Sequence, residues 1–345
     1  MVVGKFYPPH AGHHRLIDAA AAACERVTVV VAPSTRESIP LQVRLDWLRE
    51  RHGPPVRFVG VYDDHPVDYA DPAVWDAHCA IFRAAVGDSS VDVVFTSERY
   101  GDELARRFAA RHVCVDLARE KTPVSGTAVR ADPSAYWDFL TPPVRAYYTR
   151  RVVVVGAEST GTTTVAEALA DRLRDRGGVW GRTLWVPEYG RELTEMKLAK
   201  LRTADPGAVV SDVDWERSDF VVVAWAQNAI EDAAARAGSP ILVCDTDARA
   251  TAVWEERYLG SSSPAVRAEA RDPDLYLLTD HLDVPFTDDG LRDGEHLRPW
   301  MTRRFREVLA ETGVRVVELR GPLDVRLSAA LAALDALPQS PAGKS

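Results

Sequence analysis

Short apolar runs alternate with amphipathic stretches along the whole chain. In the first half the runs at residues 27–32, 56–60, 91–96 and 112–116 are bounded by polar or glycine-containing segments and read as strands. Residues 41–51 and 103–110 between them carry helical periodicity. A proline-marked stretch follows, interrupted by Pro142-Pro143. Residues 151–155, Arg-Val-Val-Val-Val, then give the strongest strand signal in the chain. A second series starts there, with strands expected at 183–186, 241–244, 275–278 and 314–319. Strands alternating with helices predict an α/β fold of two doubly wound, mostly parallel sheets. The expected domains are residues 1–145 and 150–337, with the Pro/Ser/Gly-containing residues 338–345 as a frayed tail. No internal repeat is visible.

A chain of 345 residues has room for two such domains, and its 46% hydrophobic and 27% charged residues suit a globular protein. The formal net charge of −9 argues against general nucleic-acid binding, which needs a basic face, but leaves room for a local basic pocket. Cys24, Cys79, Cys114 and Cys244 are scattered and lie outside metal-ligand spacing, as expected in a reducing compartment. No signal pattern opens the chain, and no apolar run approaches the roughly 20 residues that span a bilayer. A cytoplasmic protein without membrane insertion is the expectation. A homo-oligomer is left open.

Two segments of the first half carry candidate chemistry. Gly4-Lys5-Phe6-Tyr7-Pro8-Pro9-His10-Ala11-Gly12-His13 runs into an amphipathic stretch at 14–24, with only Met1-Val2-Val3 before it as a very short first strand. Strand, Gly/Pro loop and helix place an anion at a helix start. Gly12 allows close backbone approach, and the two imidazoles can donate to phosphoryl oxygens as charge develops. The plain alternative is two surface histidines near a turn. About a hundred residues later, Ser125-Gly126-Thr127-Ala128-Val129-Arg130 combines hydroxyls, a glycine and an arginine one turn on, which is a second anion-binding helix start or an ordinary N-cap.

Together these segments resemble the paired signatures of the HxGH nucleotidyltransferase superfamily. The long form Gly-Lys-Phe-x-Pro-x-His-x-Gly-His is similar to the nicotinamide mononucleotide adenylyltransferase branch, and to the NadR family in particular. The resemblance covers residues 1 to about 140 and implies a Rossmann-like domain. It implies that His10 and His13 contact ATP phosphates within a loop made of Gly4, Phe6 and Gly12, with Lys5 as a nearby cation. Ser125, Gly126, Thr127 and Arg130 would hold the β/γ-phosphates, and Ser97-Glu98-Arg99-Tyr100-Gly101 would lie near the adenosine. Trp47, one helical turn from Arg44, is a candidate to stack a nicotinamide ring, with a place in the core as the alternative. The implied reaction is in-line attack of the mononucleotide 5′-phosphate on the α-phosphorus of ATP, helped by Mg²⁺, giving NAD and pyrophosphate.

The second half opens as a P-loop: a strand, then Gly156-Ala157-Glu158-Ser159-Thr160-Gly161-Thr162-Thr163-Thr164, then a helix with Val165, Leu169 and Leu173 on one stripe. Thr162 stands where the consensus has lysine, and Thr163 keeps the hydroxyl expected to reach Mg²⁺. Glu188 follows the strand expected at 183–186 and is placed to accept a substrate hydroxyl or its proton. Tyr189 and Arg191 adjoin it as substrate-binding candidates. Asp245 and Asp247 follow the strand at 241–244 as candidate Mg²⁺ ligands, with a helix N-cap as the alternative for Asp247. Asp288-Asp289-Gly290-Leu291-Arg292 is either a lid that brings Arg292 to the phosphates or a solvated turn.

In this order after an HxGH domain, these features look like the ribosylnicotinamide kinase half of the NadR family, over about residues 150–325. That implies phosphorylation of nicotinamide riboside to the mononucleotide. The missing lysine leaves a second reading open, in which the P-loop domain senses nucleotide without phosphorylating. Arg191 or Arg292 would replace the lost charge on the first reading. Another acceptor for the HxGH domain, such as phosphopantetheine, is disfavoured by the attached P-loop domain. Some family members carry an N-terminal helix-turn-helix; DNA binding of that kind is not expected here.

Overall fold

The computed structural model describes residues 1–337 except Tyr69 and Asp283; the expected tail at 338–345 lies outside them. The chain forms two compact units, Met1–Val144 and a second from Arg145 onward. Among the described residues no helix is long and apolar enough to cross a membrane.

The first unit runs β1 (Val2–Gly4), α1 (Ala11–Ala23), β2 (Val27–Val31), α2 (Leu41–Arg51), β3 (Val56–Gly60), α3 (Pro72–Val86), β4 (Val93–Thr96), α4 (Gly101–Arg107), β5 (Arg111–Cys114) and α5 (Gly126–Ala131). Its five parallel strands are ordered β3-β2-β1-β4-β5. Val29, Val30 and Val31 are fully buried, as expected where helices cover both faces of a parallel sheet. One core packs Leu16, Ile17 and Ala20 of α1 on Val27, Val29 and Phe95. On the other face Trp75, Cys79, Phe82 and Val86 of α3 pack on Val30 and Val94. The strand order reverses at β1, which puts the loop after β1 in the crevice where open α/β sheets bind ligands.

Helix α6 (Pro142–Tyr148) spans the division between the units. The second unit then contains β6 (Arg150–Gly156), α7 (Thr162–Arg174), β7 (Leu184–Val186), α8 (Tyr189–Arg202), α9 (Arg217–Ala237), β8 (Ile241–Asp245), α10 (Ala248–Leu259), α11 (Pro264–Ala268), β9 (Leu275–Thr279), α12 (Arg298–Ala310), β10 (Val316–Leu319) and α13 (Leu323–Asp335). Its parallel sheet is ordered β10-β9-β6-β8-β7. Val152–Val155 of the central β6 alternate between two cores. Val152 and Val154 meet Val165, Leu169 and Leu173 of α7, and Val153 and Val155 meet Met301, Phe305 and Leu309 of α12.

Three local expectations are corrected. Helix α1 starts at Ala11 rather than at residue 14, so His10 is its N-cap and His13 lies in its first turn. Pro142-Pro143 opens α6 instead of interrupting structure, because the missing proline N–H groups fall among the unpaired donors of a first turn. Strand β5 covers Arg111–Cys114 rather than 112–116, and Asp116 adopts a positive φ of 55°.

Candidate active sites, one cleft in each unit

The first cleft opens at the carboxyl end of β1. It is lined by Gly4, Lys5, Phe6, His10, Gly12 and His13 from the first loop and by Ser125, Gly126, Thr127 and Arg130 from the start of α5. Two segments 112 or more residues apart in sequence thus share one cavity of ≈ 390 Å³. Ser125 caps α5, its Oγ accepting from the Ala128 N–H at 3.1 Å. Arg130 Nη1 donates to the Tyr7 carbonyl, and its guanidinium lies 4.3 Å from the Tyr7 ring centroid. Arg44 stacks on the same ring at 4.4 Å. Gly126 is required by this closeness, since a Cβ there would sit 2.6 Å from the Tyr7 carbonyl oxygen.

The His10 and His13 rings are tilted against each other with centroids 3.8 Å apart, and Phe6 packs on His13 at 4.8 Å. Burial, then the nearby Arg119 charge, lowers the His10 pKa to about 4. Burial, with His10 next, holds His13 well below the usual imidazole range. Both rings are therefore neutral near pH 7, each with one N–H to donate. Their Nδ1 atoms are buried without a hydrogen-bond partner among the described residues. Unsatisfied nitrogens of this kind suit an incoming polar ligand.

Sequence reasoning missed part of this wall. Arg15, Glu37, Asp116, Arg119 and Thr122 also line the cleft. Arg15 was within reach, being one turn beyond Gly12 on the same helix. Arg119 and Asp116 sit in an irregular loop with no local signature. Lys5 lies at the rim, paired with Glu37 at 2.8 Å and 52% exposed. Ser97, Glu98 and Tyr100 reach the cleft as well. Trp47 does not: it is buried and lies outside the lining residues. Its neighbour Arg44 is fully buried, donating to the Lys5 and Ile39 carbonyls and to Glu37.

The second cleft lies at the carboxyl ends of β6, β7 and β8. Gly156, Glu158, Ser159, Thr162 and Thr163 line one side, and Glu188, Gly190, Arg191, Asp245 and Arg292 surround it. Thr163 Oγ1 donates to Asp245 Oδ2 at 2.5 Å. Burial pushes the Asp245 carboxyl up to about 6, against hydrogen bonds from Thr163 and Thr162. Burial, then the Asp245 charge, pushes Glu188 up to about 8. Gly156 is needed where a Cβ would stand 2.1 Å from Thr279 Oγ1.

Other predicted residues serve the loop from behind. Thr160 is fully buried, its hydroxyl bonded to the Ala157 carbonyl and to Thr279. Gly161 takes a left-handed φ of 83° as the N-cap of α7. Glu158 lines the cleft, but its carboxylate accepts from Arg257 at 2.7 Å and from the Gly294 N–H at 2.8 Å. Arg298 and Arg326, both missed in the sequence, donate to the Ser159 and Thr160 carbonyls. Thr164 and Tyr189 are not among the lining residues, and neither is Asp247. The Asp247 carboxylate caps α10 through the Ala250 N–H and accepts from the Tyr276 hydroxyl at 2.6 Å. A carboxylate held by two donors inside the core is a helix cap, the plainer of the two sequence alternatives.

The far wall is aromatic. Trp185, Trp215, Phe220, Trp254 and Tyr258 line it, with Trp215 5.3 Å from Phe220 and 5.4 Å from Tyr258. They come from separate stretches of the chain and left no sequence signature. Among the described residues, five of the six non-glycine residues with positive φ lie in the two clefts: Phe6, Asp116 and Arg119 in the first, Ser159 and Thr246 in the second. Such conformations cost roughly 1–3 kcal/mol each and gather where surrounding packing enforces a functional geometry.

Comparison with known proteins agrees with this layout. The chain is 24% identical over 313 residues to the trifunctional NAD biosynthesis/regulator protein NadR of Escherichia coli (strain K12), covering 85% of this chain and 71% of that protein. It is 24% identical over 341 residues to the protein of the same description from Salmonella typhimurium (strain LT2), covering 93% and 78%. The crystal structure of a NadR protein in complex with NR superimposes with a TM-score of 0.72 at 22% identity, over 97% of this chain and 94% of that one. A NadR structure in complex with NAD and AMP-PNP gives 0.71 at 22% identity, over 97% and 95%. Residues 151–326 match the family model described as an AAA domain (AAA_28), so the chain belongs to that family, and over most of its length it is homologous to NadR.

Proposed function

We propose that the chain makes NAD in two ATP-dependent steps, one in each unit. The second unit phosphorylates nicotinamide riboside to the mononucleotide, and the first joins the mononucleotide to an adenylyl group from ATP. The observation that carries the reading is the shared first cleft, where His10 and His13 face the same cavity as Ser125, Thr127 and Arg130. A triphosphate needs both sets of donors at once.

In the first cleft a 5′-phosphate oxygen of the mononucleotide attacks the α-phosphorus of ATP, the bond to the β-phosphate oxygen breaks, and pyrophosphate leaves. The neutral imidazoles donate N–H bonds to phosphate oxygens, and Arg119 and Arg130 supply positive charge. No protein nucleophile is required, and positioning carries most of the rate.

In the second cleft the 5′-hydroxyl of the riboside attacks the γ-phosphorus, ADP leaves, and the hydroxyl proton passes to Glu188. A base with a pKa raised to about 8 holds that proton well near neutral pH. The aromatic wall suits a flat, cationic pyridinium ring, which π-faces attract. The Thr163 hydroxyl and the Asp245 carboxylate, 2.5 Å apart at the loop, are hard oxygen donors that fit Mg²⁺. Bound there, Mg²⁺ would neutralise phosphate charge. Asp247, held as a helix cap, takes no part in that set.

The test supplies purified protein with ATP, Mg²⁺ and either the riboside or the mononucleotide, and reads NAD. NAD from both supports the proposal. NAD from the mononucleotide alone removes the kinase step and favours a sensing role for the second unit, whereas NAD from neither removes the whole reading.

A further inference from the structure

Among the described residues, one group of histidine and acidic side chains has metal-ligand spacing, and neither cleft uses it. Asp63, 7% exposed, lies just beyond β3; His65 follows two residues later, and His78 projects from α3. Asp63 Oδ1 is 3.1 Å from His65 Nδ1, and Asp63 Oδ2 is 2.5 Å from His78 Nδ1. One donor atom from each of the three lies within 4.8 Å of the others.

The hydrogen positions decide what this group can hold. His78 Nε2 is 3.1 Å from the Pro66 carbonyl oxygen. A carbonyl only accepts, so that nitrogen bears the ring hydrogen. A neutral His78 then turns the lone pair of Nδ1 toward a carboxylate oxygen, and two acceptors face each other at hydrogen-bond distance. A hydrogen bond or a shared metal ion resolves that contact, and for an ion held at about 2.0 Å by each atom in a tetrahedral set the two must part from 2.5 Å to roughly 3.3 Å. His65 brings a second imidazole nitrogen to the other oxygen of the same carboxylate, and its 48% exposed side chain leaves one side of the group open to solvent.

We propose that Asp63, His65 and His78 form a binding site for a divalent transition-metal ion of the zinc class. Two imidazole nitrogens and one carboxylate oxygen suit such an ion better than Mg²⁺ or Ca²⁺, which prefer all-oxygen sets. The Pro66 carbonyl behind His78 is the orienting partner that metal-bound imidazoles ordinarily have. The site would fasten the loop after β3 to α3. That loop already holds the segment after β2: Asp64 accepts from the Ser34 hydroxyl and from the Thr35 N–H and hydroxyl, and the Asp63 N–H donates to the Pro33 carbonyl. The same segment leads to Glu37 at the rim of the first cleft.

The test uses the full chain, stripped with a chelator and titrated with Zn²⁺, and with Co²⁺ as a spectroscopic probe. One Zn²⁺ per chain, visible Co²⁺ absorption of a low-coordinate site, and a thermal midpoint raised by Zn²⁺ are expected. His65→Ala and His78→Gln should each weaken Zn²⁺ at least about 10²-fold and remove the Co²⁺ bands. His65 sits in an exposed loop, so its variant keeps the fold, checked by circular dichroism, and decides alone if the His78 variant unfolds. Unchanged stoichiometry and spectrum in His65→Ala would place the ion elsewhere, for example at His14 and His52, whose Nδ1 and Nε2 lie 2.9 Å apart, and overturn the site. Absence of binding at micromolar free Zn²⁺ overturns it equally.

Discussion

Glu188 and Arg292 carry the sharpest expectations at the scale of single residues. Glu188→Gln should lower the kcat of riboside phosphorylation by roughly 10²-fold or more, while NAD formation from the mononucleotide stays unchanged. In the parent protein kcat/KM for the riboside should rise with pH through the neutral range and level off above about pH 8, because the base acts only once its raised carboxyl has lost its proton. A flat profile over that range would remove Glu188 as the base. Arg292 donates to the Thr287 carbonyl and reaches Ser159 Oγ at 3.4 Å, so its guanidinium lies against the loop that lacks a lysine. Arg292→Ala should cost at least about tenfold in kinase kcat, which is about 1.4 kcal/mol of barrier. Adding Thr162→Lys to that variant should recover part of the loss by returning one positive charge, and a double variant no better than Arg292→Ala would break this link.

At the scale of elements, the first site depends on how closely α5 meets the loop after β1. Gly126→Ala would press a methyl group on the Tyr7 carbonyl, which is backbone and cannot rotate away. The start of α5 would shift, and with it Ser125, Thr127 and the Arg130 bond to Tyr7. NAD formation from the mononucleotide should fall about tenfold or more, since small misplacements at a positioning site are costly. Gly53→Ala, whose Cβ meets nothing within 4 Å, is the matched control and should behave as the parent. Equal activity of the two variants would show that this contact does not set the cleft. Most strands and the helix at 41–51 were legible from periodicity alone. The start of α1 was not, because His10 caps it without any side-chain bond and glycine follows in the first turn.

At the scale of the whole molecule the two steps should separate. His13→Ala should convert riboside to mononucleotide and stop there, so that mononucleotide accumulates and NAD does not; NAD at the parent rate would exclude the first cleft as the site of adenylyl transfer. The units should also respond oppositely to acid. His10 and His14 have folded-state pKa values lowered to about 4 and about 3, and His13 is lowered too. Their unfolded forms take up protons below about 6.5 while the folded forms do not, so the first unit loses stability as pH falls from 6.5 toward 4. At pH 5 the loss is about 2 kcal/mol each for His10 and His14, and His13 adds to it in the same direction. Glu188 and Glu231, raised to about 8 and about 7, hold protons in the folded state that the unfolded state has released. The second unit therefore gains stability from them as pH falls from 8 toward 4.5. Unfolding followed at pH 8 and pH 5 should show the first unit's transition moving down relative to the second's, and a common shift of both would contradict this assignment.

Local order was enough to predict both parallel sheets, the two glycine loops and Glu188 and Asp245 at strand ends, because periodicity and turn chemistry act between near neighbours in the chain. The aromatic wall, the Arg119 and Asp116 side of the first cleft, the arginines behind the P-loop and the Asp63–His65–His78 group were decided by packing between distant segments. So were the fates of Trp47 and Asp247, one buried and one spent on a helix cap. Chain order tells which residue types can do chemistry. Which of them keeps a lone pair or a hydrogen free for a ligand is settled only when the fold has distributed every other partner.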